Sequence, residues 1–200
     1  AQKEAVAEAE RAEKEAARAD GEASSARTEA EINKAIRTFL ERDLLGMAGA
    51  RAQLRADIRP DPNITLRTIV ERAVGTIQGR FVDQPKVKGA VLGVLSSTYV
   101  SLGAEKEAVK LHREALEIRR EIYGPEHLSV LAWMSDLAFL LNRLGDFKEA
   151  ETVAHQTLEI LRRVHGPEHN QSLKTMTNLA VSQRELGQIK DSEQLLRKTL

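Results

Sequence analysis

The chain has 200 residues, 42% hydrophobic, 30% charged and only 4% aromatic, with 30 Lys and Arg against 30 Asp and Glu and no cysteine. This composition suits a soluble, mostly helical protein, long enough for one domain or an extended array. The balanced charge leaves no global field to draw nucleic acid or an anionic membrane, and the missing thiols exclude disulfides, thiolate metal sites and cysteine nucleophiles while leaving the compartment open.

Residues 1–31 form an alanine-rich arm. Alanine recurs at 5, 9, 12, 16, 19, 23, 26 and 30, in steps of four and three, with Glu, Lys and Arg between. That is a heptad seam made of the smallest apolar side chain. Its propensity predicts a helix, read either as a solvated single helix or as a dimerising coiled coil. Five basic and nine acidic residues make the arm net negative by four charges.

At about residue 32 large apolar groups appear: Ile32, Ala35, Ile36, Phe39, Leu40, Leu44 and Leu45. Here the helix is expected to leave solvent and dock on a core, continuing over 32–54. Arg59-Pro60-Asp61-Pro62-Asn63 breaks the pattern, and Thr65 is placed to N-cap a second helix over 65–80 carrying Leu66, Ile69, Val70, Ala73, Val74 and Ile77. The two helices read as a degenerate pair ahead of the segment that begins at residue 86.

From residue 86 the chain repeats. Leu102-Gly103, Leu144-Gly145 and Leu186-Gly187 recur at a 42-residue spacing, and Gly124-Pro125-Glu126-His127 returns as Gly166-Pro167-Glu168-His169. Small residues align at Ser96, Ala138 and Ala180 and at Ala108, Ala150 and Ser192, with leucine at 116, 158 and 200. A fixed period of this size marks a helical repeat array. First helices are expected over 86–101, 127–143 and 170–185, and second helices over 105–122, 147–164 and 189–200. Glycine ends each first helix by taking the left-handed conformation, and Pro125 and Pro167 prevent the second helices from continuing. The longest uncharged stretch, Gly89–Ala104, carries three serines and a threonine. It is too short and too polar for a span of about 20 residues.

Helix, turn, helix with small residues at both close-approach points resembles the tetratricopeptide repeat. The period and the Gly-Pro-Glu-His junction resemble specifically the 42-residue variety seen in kinesin light chains and in many bacterial multidomain proteins. Leu128 and Asn170 stand where such copies tend to place proline, and the Asn178-Leu179-Ala180 signature has become Asp136-Leu137-Ala138 one repeat earlier. The resemblance implies an all-α solenoid preceded by the long alanine-rich helix. The expected organisation is an arm over 1–31, a degenerate pair over 32–85 and repeats over 86–127, 128–169 and 170–200, the last truncated.

Asp43-Leu44-Leu45, Asp61-Pro62-Asn63-Ile64-Thr65-Leu66-Arg67, Glu71-Arg72-Ala73 and Gly79-Arg80-Phe81-Val82-Asp83-Gln84-Pro85 carry a second resemblance. They are similar to the region between membrane segment and repeats in large bacterial serine/threonine protein kinases of the planctomycete kind. The kinase itself is missing, with no Gly-rich loop, His-Arg-Asp or Asp-Phe-Gly. That resemblance implies a fragment of a sensing or scaffolding half, tethered to a membrane by an upstream segment. Ala1 at the start and a last helix stopping at Leu200 are expected of a fragment, with self-association or fraying at the cut end.

Chemistry is sparse. His165 and His169 have the four-residue spacing of helical zinc ligands, but Gly166-Pro167 breaks the helix such a pair needs. His127 and His169 are repeat equivalents, which favours a structural role at the turn. Gly75, Gly79, Gly89 and Gly93 lie on helical patterns and cradle no phosphate. Arg119-Arg120 and Arg162-Arg163 end second helices, where cations complement the helix dipole. No cofactor, metal or nucleic acid is expected.

The resemblance leaves the groove, which first helices line in such arrays. By register its candidates are Ser135, Asp136, Phe139, Asn142 and Arg143, then Lys174, Thr177, Asn178, Val181 and Arg184. Phe139 is an aromatic where its counterparts are Ser97 and Val181, reading equally as packing or as a peptide anchor. Asn142 and Asn178 offer donors and acceptors to a peptide backbone, and Trp133 reads as packing. The expected function is a non-catalytic module binding a peptide or partner helix. The alternative is an oligomerising spacer, self-paired through the arm or the cut C-terminal edge; an unrecognised enzyme ranks last for want of a convergent constellation.

Overall fold

The computed structural model describes residues 2–44, 46 and 64–197, and those residues contain α-helices, turns and no strand. Helix α1, Gln2–Thr38, runs into a six-residue π-helical turn, Phe39–Leu44. Then come α2 (Leu66–Arg80), α3 (Pro85–Ser101), α4 (Glu105–Tyr123), α5 (Leu128–Leu144), α6 (Phe147–Val164), α7 (Asn170–Glu185) and α8 (Ile189–Leu196).

Helix α1 changes character along its length. Between Glu13 and Arg27 every side chain is exposed, because an alanine seam offers too little area to dock. From Ile32 onward Ile32, Ala35, Ile36 and Leu40 pack on a core that includes Phe39, which is 1% exposed. The helix expected over 32–54 is therefore the end of α1, and its regular geometry stops at Thr38. Its remainder, residues 45 and 47–54, and the Arg59–Asn63 break lie outside the described residues.

Thr65 caps α2 as its position predicts, its hydroxyl accepting from the Thr68 amide at 3.2 Å. Ile69, Val70, Ala73 and Ile77 form the buried stripe. Pro85 opens α3, where its missing N–H costs nothing.

Three antiparallel pairs follow, α3 with α4, α5 with α6 and α7 with α8, with α4 also packing on α5 and α6 on α7. Each pair closes on its small residues. Ser96, Ala108, Ala138, Ala150, Ala180 and Ser192 are all buried. In the outer pairs a hydroxyl crosses the seam: Ser96 donates to the Ala108 carbonyl at 2.9 Å and Ser192 to the Ala180 carbonyl at 2.8 Å. Gly145 adopts φ 86° at the end of α5, a left-handed turn that lets the Asp146 amide reach the Leu141 carbonyl.

The two junction histidines are N-caps. His127 Nδ1 accepts from the Ser129 amide at 3.2 Å, and His169 Nδ1 accepts from the Gln171 amide at 3.1 Å. Each satisfies an orphan donor in the first turn of α5 or α7. The core runs without interruption along the stack. Half-buried Val100 and Trp133 join its first and second clusters, and Val153 joins the second to the third.

Candidate functional site

The ten candidate residues all lie on α5 and α7, which pack directly on one another. Local helical register decides what each can do. Ser135 and Asn178 face the seam between the helices. Asn178 is 8% exposed and donates Nδ2 to both the Ser135 carbonyl, at 2.8 Å, and the Ser135 hydroxyl, at 3.2 Å. Asn142 donates Nδ2 to the Asn178 carbonyl at 2.9 Å, which leaves its buried Oδ1 without a partner. The asparagine donors thus join the two helices to each other rather than standing free for a peptide backbone.

Each charged candidate has a partner of opposite sign. Lys174 Nζ meets Asp136 at 2.7 Å across the seam. Arg143 meets Glu105 of α4 at 2.8 Å, and that hydrogen bond holds the Glu105 carboxyl below the usual carboxylate range. Arg184 pairs with its neighbour Glu185 at 2.9 Å. Thr177 is exposed and its hydroxyl returns to the Leu173 carbonyl, while Val181 is half-buried.

Phe139 is different: it is 45% exposed. It borders a cavity of about 500 Å³ between α3 and α5, together with Trp133, Asp136 and Leu140 of α5, Val94, Ser97 and Val100 of α3, and Ile36 at the end of α1. His112 and Arg119, from α4, complete the wall. Volumes of this size accept a ligand side chain or a small molecule.

Trp133 shapes this cavity. Its ring lies on Gly93, where a Cβ would stand only 2.6 Å from Cη2. The His112 ring stacks on it with centroids 4.4 Å apart and planes at 21°, and the Arg119 guanidinium carbon lies 4.1 Å from the ring centre. Burial pushes both the His112 imidazole and the Arg119 guanidinium below their ordinary pKa values. Among the described residues no carboxylate bonds Arg119, and its Nε is buried without a hydrogen-bond partner. Trp133 does pack, as expected, and it also forms the cavity wall.

The candidate set therefore omitted the α3 half of this face and the two α4 side chains. Val94, Ser97 and Val100 are the repeat equivalents of Asp136, Phe139 and Asn142, 42 residues earlier, so extending the register by one repeat finds them. His112 and Arg119 belong to a second helix, and no first-helix register points to them.

A second cavity, of about 660 Å³, opens between α6, α7 and α8 over Leu158, Leu179 and Leu195. Among the described residues no group of three or more His, Cys, Asp or Glu is placed to hold a metal, and no helix is long and apolar enough to cross a membrane.

The family model for the tetratricopeptide repeat matches residues 89–153 and again 130–200. Comparison with curated proteins gives no match. Among solved structures, the crystal structure of BtubC (BKLC) from P. vanneervenii superposes with a TM-score of 0.56 at 19% identity, covering 87% of this chain and 70% of that one. The nearly identical TPR-like repeats attributed to a Podosopora anserina kinesin light chain superpose with a TM-score of 0.50 at 20% identity, covering 86% and 93%. At these identities the likeness is one of fold.

Proposed function

This chain belongs to the tetratricopeptide repeat family, and on that premise we propose that it is a non-catalytic protein-binding module whose ligand, a peptide or a partner helix, lies along the face of α3, α5 and α7. Repeats of this kind generally mediate protein–protein interaction. The observation that carries the reading here is Phe139, a large aromatic left 45% exposed at the rim of a 500 Å³ cavity. The exposed part of its ring is apolar area that a ligand seated on the cavity would bury, and full burial of a phenylalanine is worth roughly 1.5–3 kcal/mol. The ion pairs of Asp136, Arg143, Lys174 and Arg184 leave shape and apolar contact as the main terms on this face.

The test is a displayed peptide library selected on the chain and re-measured on Phe139→Ser, which installs the residue of the first repeat at an exposed position. Loss of about tenfold or more in affinity, roughly 1.4 kcal/mol, supports the groove. Unchanged affinity for every selected peptide removes it.

The resemblance of residues 43–85 to bacterial serine/threonine kinases, and the order of arm before repeats, support a place in the sensor or scaffold part of a larger signalling protein. Translating the gene upstream of Ala1 decides this. A kinase domain followed by about 20 apolar residues supports it, and an unrelated upstream sequence leaves an adaptor.

The exposed alanine seam of α1 favours a second reading, in which the arm pairs two copies and the repeats space them. Leu196, 40% exposed on α8, offers another self-association edge. Light scattering of residues 1–200 against 32–200 separates the two, since equal monomeric masses leave the arm no pairing role.

A further inference from the structure

Arg119 is the cation beside this face that no acid answers. Lys174, Arg143 and, on α3, Lys88 meet the carboxylates of Asp136, Glu105 and Glu114 at 2.7, 2.8 and 2.8 Å. Among the described residues no carboxylate bonds Arg119, and its Nε is buried without a hydrogen-bond partner. The Trp133 ring, with its centre 4.1 Å from the guanidinium carbon, attracts the charge, but an indole has no lone pair to offer the five N–H donors. Burial meanwhile works against the charged form. The guanidinium thus stands on the wall of a cavity without an acceptor.

The rest of that cavity is apolar or already engaged. Ile36, Val94, Val100, Phe139 and Leu140 supply hydrocarbon. Ser97 donates to the Gly93 carbonyl at 3.1 Å and Ser96 to the Ala108 carbonyl at 2.9 Å, while His112 Nε2 lies 2.9 Å from the Trp133 carbonyl. Asp136 is paired with Lys174, so Arg119 leaves the lining with a positive charge that nothing balances.

We propose that this cavity is a binding site for a small aromatic acid, whose carboxylate pairs with Arg119 and whose ring lies among Phe139, Val94, Val100 and Leu140. A volume of about 500 Å³ takes such a molecule whole. The planar guanidinium fork matches a carboxylate in two parallel hydrogen bonds, and the carboxylate offsets the burial of the cation. An amide of the same shape turns N–H donors toward N–H donors, so the site rejects it by leaving polar groups unpaired. The site shares Phe139 with the peptide face but stands on Arg119, and it does not rest on that reading.

The test titrates the chain with three probes: phenylacetate, its neutral isostere phenylacetamide, and acetate, which has the charge without the ring. Trp133 is the single tryptophan of the chain, so its fluorescence reports binding, and calorimetry gives the affinities independently. The expected result is saturable binding of phenylacetate at least tenfold tighter than of either other probe. In Arg119→Gln, with helix content checked by far-ultraviolet dichroism, phenylacetate should fall at least tenfold, to the level of the amide, while the amide is unchanged. In Phe139→Ser the acid and the amide should weaken together. Equal binding of acid and amide, a flat phenylacetate titration, or an acid preference that survives in folded Arg119→Gln overturns the site. Acetate binding as well as phenylacetate overturns it too, as an adventitious ion only. Should Arg119→Gln lose helix, Phe139→Ser carries the decision: unchanged affinity for both aromatic probes overturns the proposal. The peptide selection uses none of these probes and leaves Arg119 intact, so either reading can fail alone.

Discussion

Gly93 is the residue on which the candidate face turns. Within a helix, glycine costs about 1 kcal/mol relative to alanine, and here that cost makes room for an indole. Adding a Cβ places it 2.6 Å from Trp133 Cη2, and the ring cannot yield easily with His112 stacked on it and Arg119 over it. Gly93→Ala should therefore destabilise by roughly 1–3 kcal/mol through overpacking, in spite of its better helix propensity. Urea unfolding measures this, and a variant more stable than the parent would show that Trp133 is free to move. Thr65→Ala is the simpler case: loss of the cap on α2 should cost about 1 kcal/mol, read from the same unfolding curves.

Among the elements, the seams between paired helices depend on side-chain size more than on polarity. Ala138 and Ala150 are fully buried between α5 and α6, and no hydroxyl is needed there to hold the backbones close. Ala150→Leu should cost roughly 1–3 kcal/mol, measured by thermal unfolding at constant pH. The last pair is held less firmly than the one before it. Helix α8 buries only Ser192 among its described residues, whereas α6 buries Ala150, Ala154, Thr157, Leu158 and Leu161. Hydrogen exchange should open 189–196 before 147–164, since local stability follows buried apolar contact. Equal protection in a monomeric sample would contradict this.

Over the whole molecule two kinds of interaction join the repeats. The first is the continuous apolar core, passing through Val100, Trp133 and Val153. The second is a set of ion pairs between residues 36 to 38 apart: Arg113 with Glu149, Arg163 with Glu126, Arg143 with Glu105 and Lys174 with Asp136. Such exposed pairs are screened by water and salt and contribute little, whereas each fully buried leucine contributes about 1.5–3 kcal/mol. Packing therefore dominates. Raising ionic strength to about 1 M should lower the melting temperature only modestly and leave the far-ultraviolet spectrum unchanged; unfolding by salt alone would reverse that ranking. Acid should act in the same direction as salt, because the Glu105 carboxyl is held low by Arg143 and its contribution, present above the ordinary carboxylate range, is lost as pH falls.

The 42-residue period showed which positions correspond, and signals acting over a few residues were legible in the chain: the Leu-Gly stops, the Thr65 cap and the histidines at the turns. Each depends on backbone geometry that its own neighbours impose, so it reads correctly without knowledge of the fold. The face of α3, α5 and α7 was legible only as a register. One step around a helix separates a side chain that faces outward from one that enters a seam, and the choice depends on a partner 36 to 43 residues away. Asn178 thus turns into the seam toward Ser135, Phe139 remains outside, and Trp133, read as packing, lies on Gly93 and walls a cavity. His112 and Arg119 reach that cavity from α4, because packing α4 against α5 brings their side chains over an indole that lies far along the chain.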